Sequence, residues 1–200
     1  MKRSPQYKIC RRLGPGVFDK CQTTKFATST TGKNKKSNSR PKALSDYAVQ
    51  FLEKQRVRLT YGVTERQFSN YVKKAQSDGG SAAESLYKAL ETRLDNVVYR
   101  LGLAASRAQA RQMVSHGHFT VNGTKVRIPS YTVKTSDVIA VRQGSTGSAL
   151  FTELDKKLKN TTTSDWLAFD ITKLAATLKG YPKNPESSAG FSTVLEFYSR

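Results

Sequence analysis

The chain of 200 residues has two cysteines, one tryptophan and no long apolar segment. Two cysteines, Cys10 and Cys21, are too few for a disulfide framework, and no secretory signal pattern is recognisable. The sequence contains no run of about 18 apolar residues, the length that a helix needs to span a bilayer. These absences disfavour secreted disulfide-rich proteins and membrane proteins. A reducing compartment, the cytosol or an organelle derived from it, is expected, with both cysteines as small buried apolar residues.

Acidic residues are also scarce, with 15 Asp+Glu against 34 Lys+Arg and a net charge of +19. Self-repulsion destabilises a compact protein of this charge, whereas a polyanionic partner removes the repulsion and releases counterions. Residues 1–80 have 18 basic and five acidic side chains, residues 81–142 nine and four, and residues 143–200 seven and six. The polyanion contact is therefore expected in the first two thirds. A generally basic, solvated surface is the alternative.

The sequence lacks a recognisable catalytic constellation. It has no Walker-type phosphate loop, no Ser-His-Asp or Cys-His pair in a suitable context and no quartet of metal ligands. His116 and His118 make an incomplete metal pair, about a hundred residues from the two cysteines. We therefore expect no enzymatic activity, no zinc and no other cofactor. An RNA-binding protein needs none, because its affinity comes from neutralised phosphates and its specificity from rigidly spaced contacts.

The N-terminal segment differs in composition from the rest. Residues 1–44 are basic and rich in turn formers, and residues 23–40 contain almost no large apolar side chain. Such a segment buries too little surface to offset the entropy of ordering it. We expect a basic arm that is disordered when free and ordered by RNA.

Regular structure is expected from Ser45-Asp46 onward. Thr64 and Gln67 have the capping-box spacing, and Ser81 and Glu84 repeat it. Apolar positions at helical spacing follow each box, and the second series predicts a single helix that ends at Gly102. These positions are Phe68, Tyr71, Val72 and Ala75 in the first series, and Leu86, Leu90, Leu94, Val97 and Val98 in the second.

A second helix and a hairpin follow. Ser106 begins a helix that Gly117 ends, and the Asn122-Gly123 pair between alternating runs predicts a hairpin. Residues 138–141 predict a short buried strand. Further on, the sequence predicts a helix from Leu150, Leu154 and Leu158, followed by closing strands at 166–169 and 194–198.

Basic side chains cluster on this helix and hairpin. Arg107 and Arg111 are four residues apart and share a helix face, while Lys125 and Arg127 lie on the second strand of the hairpin. Guanidiniums beside a basic ribbon provide rigidly spaced phosphate contacts. The alternative is that they are solvated surface charges. Asp95, inside the preceding helix, is expected to bond to Arg93 or to a backbone group.

These motifs resemble a known family. RLDNVVYRLG (93–102), SRAQARQ (106–112), VSHGH (114–118) and VNG (121–123) resemble the S4 RNA-binding module, which by itself implies only binding to structured RNA. LSDYAVQ (44–50), EKQRVR (53–58), YGVTERQF (61–68) and LEFYSR (195–200) are similar to the bacterial-type small-subunit ribosomal protein S4 family. The similarity is close over 41–142 and the last dozen residues, and loose elsewhere.

The resemblance implies an α+β fold and a structural function. Members of the family bind the five-prime domain of small-subunit ribosomal RNA, nucleate subunit assembly and, beside ribosomal protein S5, affect decoding accuracy. It also implies neighbouring ribosomal proteins and messenger RNA as partners, and a ribosome of the cytoplasm or of a plastid, with no membrane. The alternatives are a free-standing S4-module RNA-binding factor or an RNA-modifying enzyme of the pseudouridine synthase type. Some family members hold zinc with four N-terminal cysteines; this sequence has two.

Four segments are therefore expected: the basic arm (1–44), a helical lobe (45–92), the S4 module (93–142) and a C-terminal segment (143–200) that packs on the helical lobe. Arg40 and Lys42 match family positions near the channel through which messenger RNA enters. The remaining expected RNA-binding residues are Arg3, Lys8, Arg11, Arg12, Lys54, Arg56, Arg58, Tyr61, Arg66, Gln67, Asn70, Tyr71, Lys74, Arg93, Arg107, Arg111, Gln112, His116, His118, Lys125 and Arg127.

Overall fold

The computed structural model describes residues 5–31, 43–148, 150–151, 164–170, 172–183 and 188–199. Helices and a small antiparallel sheet make up this part of the chain, which confirms the predicted α+β class. The helices are α1 (Gln6–Leu13), α2 (Thr24–Thr31), α3 (Asp46–Thr60), α4 (Glu65–Ser77), α5 (Ala82–Glu91), α6 (Leu94–Arg100), α7 (Arg107–His116) and α8 (Ser188–Ser199). The strands are β1 (Phe119–Val121), β2 (Thr124–Val126), β3 (Val138–Val141), β4 (Leu167–Asp170) and β5 (Ala175–Leu178).

The chain divides into two compact units. The helical unit comprises Met1–Ala83 and Pro185–Arg200, and the sheet unit comprises Glu84–Asn184. All of residues 143–200 were expected to pack on the helical lobe. Instead β4 and β5 lie in the sheet unit, because β5 pairs with β3 and β4 pairs with β5, which extends the sheet formed by β1, β2 and β3.

The N-terminal segment is folded over residues 6–31, so the prediction of a structureless arm is wrong for that stretch. Helix α1 and two short 3₁₀ turns fold back on each other and bury Cys10 and Cys21, which form a disulfide across a Cα–Cα distance of 6.4 Å. Phe26 of α2 closes the same small core. The two cysteines were expected to be unlinked; the backward turn brings together residues whose proximity the spacing alone did not show.

Both predicted helix starts in the helical unit are confirmed. The Ser45 hydroxyl caps α3 by accepting a hydrogen bond from the amide of Ala48. Thr64 and Gln67 form the expected reciprocal capping box at the start of α4. Phe68, Val72 and Ala75 then point into the core at helical spacing.

The C-terminal segment is a helix, so the closing strand predicted at 194–198 is wrong. The local composition favours a strand, but Phe191 and Val194 are buried three residues apart along one face of α8. Phe197 packs against Tyr47 and Phe51 of α3, with ring centroids 5.6 and 6.1 Å away. Tertiary packing has overridden the local preference.

The single helix predicted from Leu86 to Val98 is also wrong, because residues 92–93 separate α5 from α6. Arg93 is extended and bridges to Thr132, while the amides of Leu94 and Val133 donate to the carbonyls of Tyr131 and Thr92. The loop before β3 therefore takes the hydrogen bonds that a continuous helix would have made.

The sheet has the strand order β2-β1-β3-β5-β4, with every neighbour antiparallel. The predicted hairpin is confirmed: Asn122 and Gly123 have φ of 50° and 79°, as a tight turn of left-handed residues requires. The strands predicted at 138–141 and 166–169 are confirmed in substance. Helices α6 and α7 bury Leu94, Val98 and Val114 in a core that includes Phe119.

Most of the helix predicted from Leu150, Leu154 and Leu158 lies outside the described residues. No helix in the described part of the chain is long and apolar enough to cross a membrane.

Candidate nucleic-acid interface

Helix α7 presents the basic face predicted from the sequence. The Ser106 hydroxyl caps it by accepting from the amide of Gln109, and Gly117 ends it with φ of 74°. Ala110, Met113 and Val114 are buried, which leaves Arg107 and Arg111 on another side, turned towards α6. Both guanidiniums are therefore held in fixed positions.

Asp95 is a buried carboxylate that fixes the guanidiniums of Arg93 and Arg111. Arg93 donates to it from Nε at 3.1 Å and from a terminal nitrogen at 2.8 Å. Arg111 donates to the same carboxylate at 2.9 and 2.8 Å. Asp95 and Arg93 are nearly inaccessible, whereas the side chain of Arg111 is one-third exposed. The expected bond between Asp95 and Arg93 is confirmed, and its extension to Arg111 joins α6 to α7.

Glu91, four residues before Asp95, provides a second buried carboxylate. Its fully buried carboxylate accepts from Arg100 at 2.9 and 2.7 Å and from the amide nitrogen of Asn96 at 2.7 Å. Asn96 in turn accepts from Nε of Arg107 at 2.8 Å, and the Arg107 guanidinium lies 4.4 Å from the centre of the Tyr99 ring. Three guanidiniums thus bond to two buried carboxylates, and the guanidinium of Arg107 joins the same cluster through Asn96.

The hairpin places further cations beside the end of α7. Lys125 and Arg127 are exposed, and their side chains lie against Gly117. The Lys125 Cε occupies the space that a Cβ on Gly117 would need, and Arg127 Cγ lies 3.2 Å from that position. Only glycine combines this close approach with a left-handed backbone. The turn between α7 and β1 is therefore fitted to the two basic side chains.

A third part of the surface surrounds His118. Its Nδ1 lies 3.0 Å from the buried hydroxyl of Ser145, and its backbone carbonyl accepts from the amide of Arg142. The ring of His116 lies 6.1 Å away. Burial, followed by the charges of His116, Arg142 and Lys125, lowers the pKa of His118. Partial desolvation and the charges of Arg127 and Arg142 likewise lower the pKa of Lys125. Positive charges are concentrated here.

The helical unit presents basic surfaces of its own. On α4, Arg66, Asn70 and Lys74 are all exposed and lie at intervals of four residues, so they share one face. On α1, Lys8, Arg11 and Arg12 are exposed. These two helices present the expected residues to solvent.

Comparison with known proteins identifies the family. Residues 1–91 match the ribosomal protein S4/S9 N-terminal domain, and residues 92–139 match the S4 domain. The chain is 44% identical over 202 residues to small ribosomal subunit protein uS4 of Roseiflexus sp. (strain RS-1), covering 99% of this chain and 98% of the relative. It is 44% identical to uS4A of Alkaliphilus metalliredigens (strain QYMF), covering 96% of each chain.

The chain belongs to the uS4 family. A third relative, uS4 of Chloroflexus aurantiacus (strain J-10-fl), is 42% identical over 200 residues, covering 98% of this chain and 97% of the relative. The S4-domain match coincides with α6, α7, the hairpin and the start of β3. The resemblance inferred from the sequence motifs is thereby confirmed.

Some expected interface residues lie in the interior of the protein. Lys54 is 6% exposed, Tyr61 8% and Arg93 2%. The Lys54 ammonium lies 2.8 Å from Glu65 and within 6 Å of the centres of three aromatic rings, those of Phe51, Phe197 and Tyr198. Burial of these three side chains argues against their contacting a phosphate at the surface.

Several other expected residues use their side chains in hydrogen bonds or ion pairs within the helical unit. Arg56 donates to the carbonyl of Leu13 and pairs with Glu53, and Arg58 bonds to Gln55 and Glu65. Gln67 uses its side-chain oxygen in the capping box. Tyr71 is half-buried, and Gln112 is exposed on α7. Arg3, Arg40 and Lys42 lie outside the described residues.

Four residues of this surface were not predicted from the sequence: Glu91, Arg100, Arg142 and Ser145. Arg142 faces His118 because β1 and β3 pair with Phe119 opposite Val141, a register that no sequence spacing shows. Glu91 was overlooked because a continuous helix was predicted across residue 92. Within the described residues, no group of three or more His, Cys, Asp or Glu side chains is placed to hold a metal ion.

Proposed function

We propose that this chain is a structural protein of the small ribosomal subunit that binds small-subunit ribosomal RNA directly. The observation that carries the proposal is the cationic surface formed by α7, the hairpin and the end of β3 in a chain of net charge +19. The names of relatives aligned along nearly the whole chain support the ribosomal context. The ribosome is accordingly the proposed location.

The physical basis is phosphate neutralisation by preorganised cations. Asp95 and Glu91 hold their arginines from inside the protein, so the guanidiniums lose little conformational entropy when RNA binds. Flexible surface lysines would bind with the same charge but without fixed spacing. Rigid spacing is what lets a protein select one folded RNA shape.

The finer parts of the proposal follow from the family resemblance. The RNA partner is the five-prime domain of small-subunit ribosomal RNA, where binding nucleates folding during assembly. Ribosomal protein S5 is the proposed protein neighbour through which the chain affects decoding accuracy. Arg40 and Lys42 are the proposed contacts where messenger RNA enters. An RNA-modifying enzyme or a free-standing RNA-binding factor is not favoured, because relatives aligned over 96–99% of this chain are named as ribosomal proteins.

Equilibrium binding of the full chain to two RNAs of equal length tests this function. One is a five-prime-domain fragment and the other a large-subunit fragment, both titrated at several salt concentrations. We expect tighter binding to the first at every salt concentration and a linear fall of log affinity with log salt. Replacing Lys125 and Arg127 with Gln should reduce the slope by at most about two. Equal affinity for both RNAs would contradict the function.

A further inference from the structure

The charged surface extends past the end of the S4-domain match at residue 139. Arg142 follows β3, and a short 3₁₀ turn, Gln143–Ser145, comes directly after it. The antiparallel register places Arg142 beside His118, whose carbonyl accepts its backbone amide at 2.8 Å. Backbone hydrogen bonding therefore fixes the position of Arg142 at the end of β3, independently of the conformation of its side chain.

The side chain of Arg142 is positioned from within. Its Nε donates to the hydroxyl of Ser145 at 3.4 Å, and that hydroxyl also lies 3.0 Å from Nδ1 of His118. Ser145 is 3% exposed, so the hydroxyl belongs to the interior and supports two half-buried groups that reach the surface. A terminal nitrogen of the guanidinium also lies against Gly144.

Other cations converge on the same place. Lys125 and Arg127 reach it from the hairpin, lying across Gly117, and His116 reaches it from the end of α7. Arg142 and Lys125 are close enough to contribute to the lowered pKa of His118. Among the described residues, no carboxylate forms an ion pair with Lys125, Arg127 or Arg142. Uncompensated charge gathered this closely opposes folding unless an anion binds.

We propose that Arg142, positioned by Ser145, forms with Lys125 and His118 a site for one backbone phosphate of the bound RNA. The guanidinium and the ammonium supply charge-assisted hydrogen bonds, and the imidazole supplies a third donor when protonated. The site rests on the proposed function and adds to it a contact outside the S4 domain. Ser145 is a positioning residue that need not touch the RNA.

Binding of the full-length protein to the five-prime-domain fragment tests the site. Arg142→Gln removes the charge and leaves the backbone bonds intact, so we expect affinity to fall about tenfold, as for a hydrogen bond to a charged group. The salt slope should become shallower by about one. Lys179→Gln is the matched control, because Lys179 is an exposed lysine of the same unit at the opposite end of β5. It should change neither quantity.

Substitution of single phosphates in the RNA by uncharged methylphosphonates identifies the contact. Wild-type protein should lose affinity at one phosphate where Arg142→Gln loses nothing further. Ser145→Ala should weaken RNA binding less than Arg142→Gln does. It should also shift the NMR titration of His118, which a change in overall stability alone would not do. An unchanged titration and unchanged affinity would remove Ser145 from the site.

The outcomes separate this site from the function on which it rests. If the wild-type chain prefers the five-prime-domain RNA but Arg142→Gln keeps its affinity, slope and interference pattern, the site is overturned and the function stands. If inorganic phosphate alone binds the wild-type protein at millimolar concentration, while Arg142→Gln has the RNA affinity of the wild type, the assignment to RNA is overturned. If the wild-type chain shows no RNA preference, the proposed function fails and the site fails with it.

Discussion

At the scale of single residues, the structure distinguishes cations that serve folding from cations that serve binding. Lys54 is enclosed by Glu65 and three aromatic rings, whereas Lys125 is exposed and has other cations as its charged neighbours. Both are lysines in a basic chain, and the sequence offered no means of separating them. Burial and the sign of the neighbouring charges assign their roles.

Removing the partner of Lys54 is expected to destabilise the helical unit. Burial raises the pKa of Glu65, but hydrogen bonds from Lys54 and Tyr198 and the charges of Lys54 and Arg58 outweigh it and hold the pKa below 4.5. Glu65→Gln leaves a buried ammonium unpaired and should cost about 1 kcal/mol, a figure reduced because Glu65 is half-exposed. Urea unfolding at pH 7 measures this cost.

The matched variant is Lys54→Met combined with Glu65→Gln, which removes the charge and keeps an apolar stem between the rings. It should recover part of the loss. Because the folded pKa of Glu65 is depressed, the contribution of its carboxylate is complete above pH 4.5 and disappears as the pH falls through the folded pKa. The gap between wild type and Glu65→Gln should therefore narrow in acid. A gap that is constant with pH would exclude this ion pair as the cause.

His118 is expected to make RNA affinity depend on pH. Burial and its cationic neighbours hold the pKa of His118 below 6.5 in the free protein, so the ring is neutral at pH 7.5. A bound phosphate raises that pKa, and RNA binding then takes up a proton. Affinity should increase as the pH falls from 7.5 to 6. His118→Gln should reduce this dependence at constant ionic strength; an identical pH profile would exclude proton uptake at His118.

At the scale of secondary-structure elements, the local signals decided helix starts and turns, and tertiary contacts decided the rest. Ser45, Thr64 and Ser106 cap the helices that they predict, because a cap depends on residues within one turn. The break at Thr92-Arg93 depends on hydrogen bonds with residues 131–133, which no periodicity shows. The segment at 194–198 has strand-like composition, yet its packing on α3 makes it a helix.

The junction of α6 and α7 depends on Asp95, and Asp95→Asn is expected to destabilise the sheet unit strongly. The substitution removes the Asp95 carboxylate from the Arg93 guanidinium, which is 2% exposed, at a cost of about 3 kcal/mol or more. It should also remove the carboxylate that positions the Arg111 guanidinium and so reduce RNA affinity. Thermal unfolding and RNA binding of the same sample measure both effects. Wild-type stability in this variant would contradict the role of Asp95 as the link between the two helices.

The disulfide between Cys10 and Cys21 is expected to stabilise the N-terminal part of the helical unit. Closing a loop with a sequence separation of 11 contributes about 2–3 kcal/mol by restricting the unfolded chain. Replacing both cysteines with Ser should speed hydrogen exchange in α1 and make exchange there insensitive to reductant. The wild-type protein should show the same acceleration when a reductant is added. Equal exchange in wild-type protein with and without reductant would contradict this contribution.

At the scale of the whole molecule, charge and motifs predicted the function class, while the interface required the structure. The net charge of +19 and the spacing of Arg107 and Arg111 could be taken from the sequence. The partners of those arginines could not, because Asn96 and Asp95 of α6 reach them only after α6 and α7 pack together. The same holds for Arg142, which meets His118 through strand pairing.

The central claim is that the sheet unit holds small-subunit ribosomal RNA against α7, the hairpin and the end of β3. Ultraviolet crosslinking of the tagged chain in its native cells, with crosslinked peptides and nucleotides both identified, tests it most directly. The account predicts crosslinks that join residues 107–127 and 142–145 to the five-prime domain of small-subunit RNA. Crosslinks from these residues to large-subunit or transfer RNA, or no RNA crosslinks from them, would contradict it.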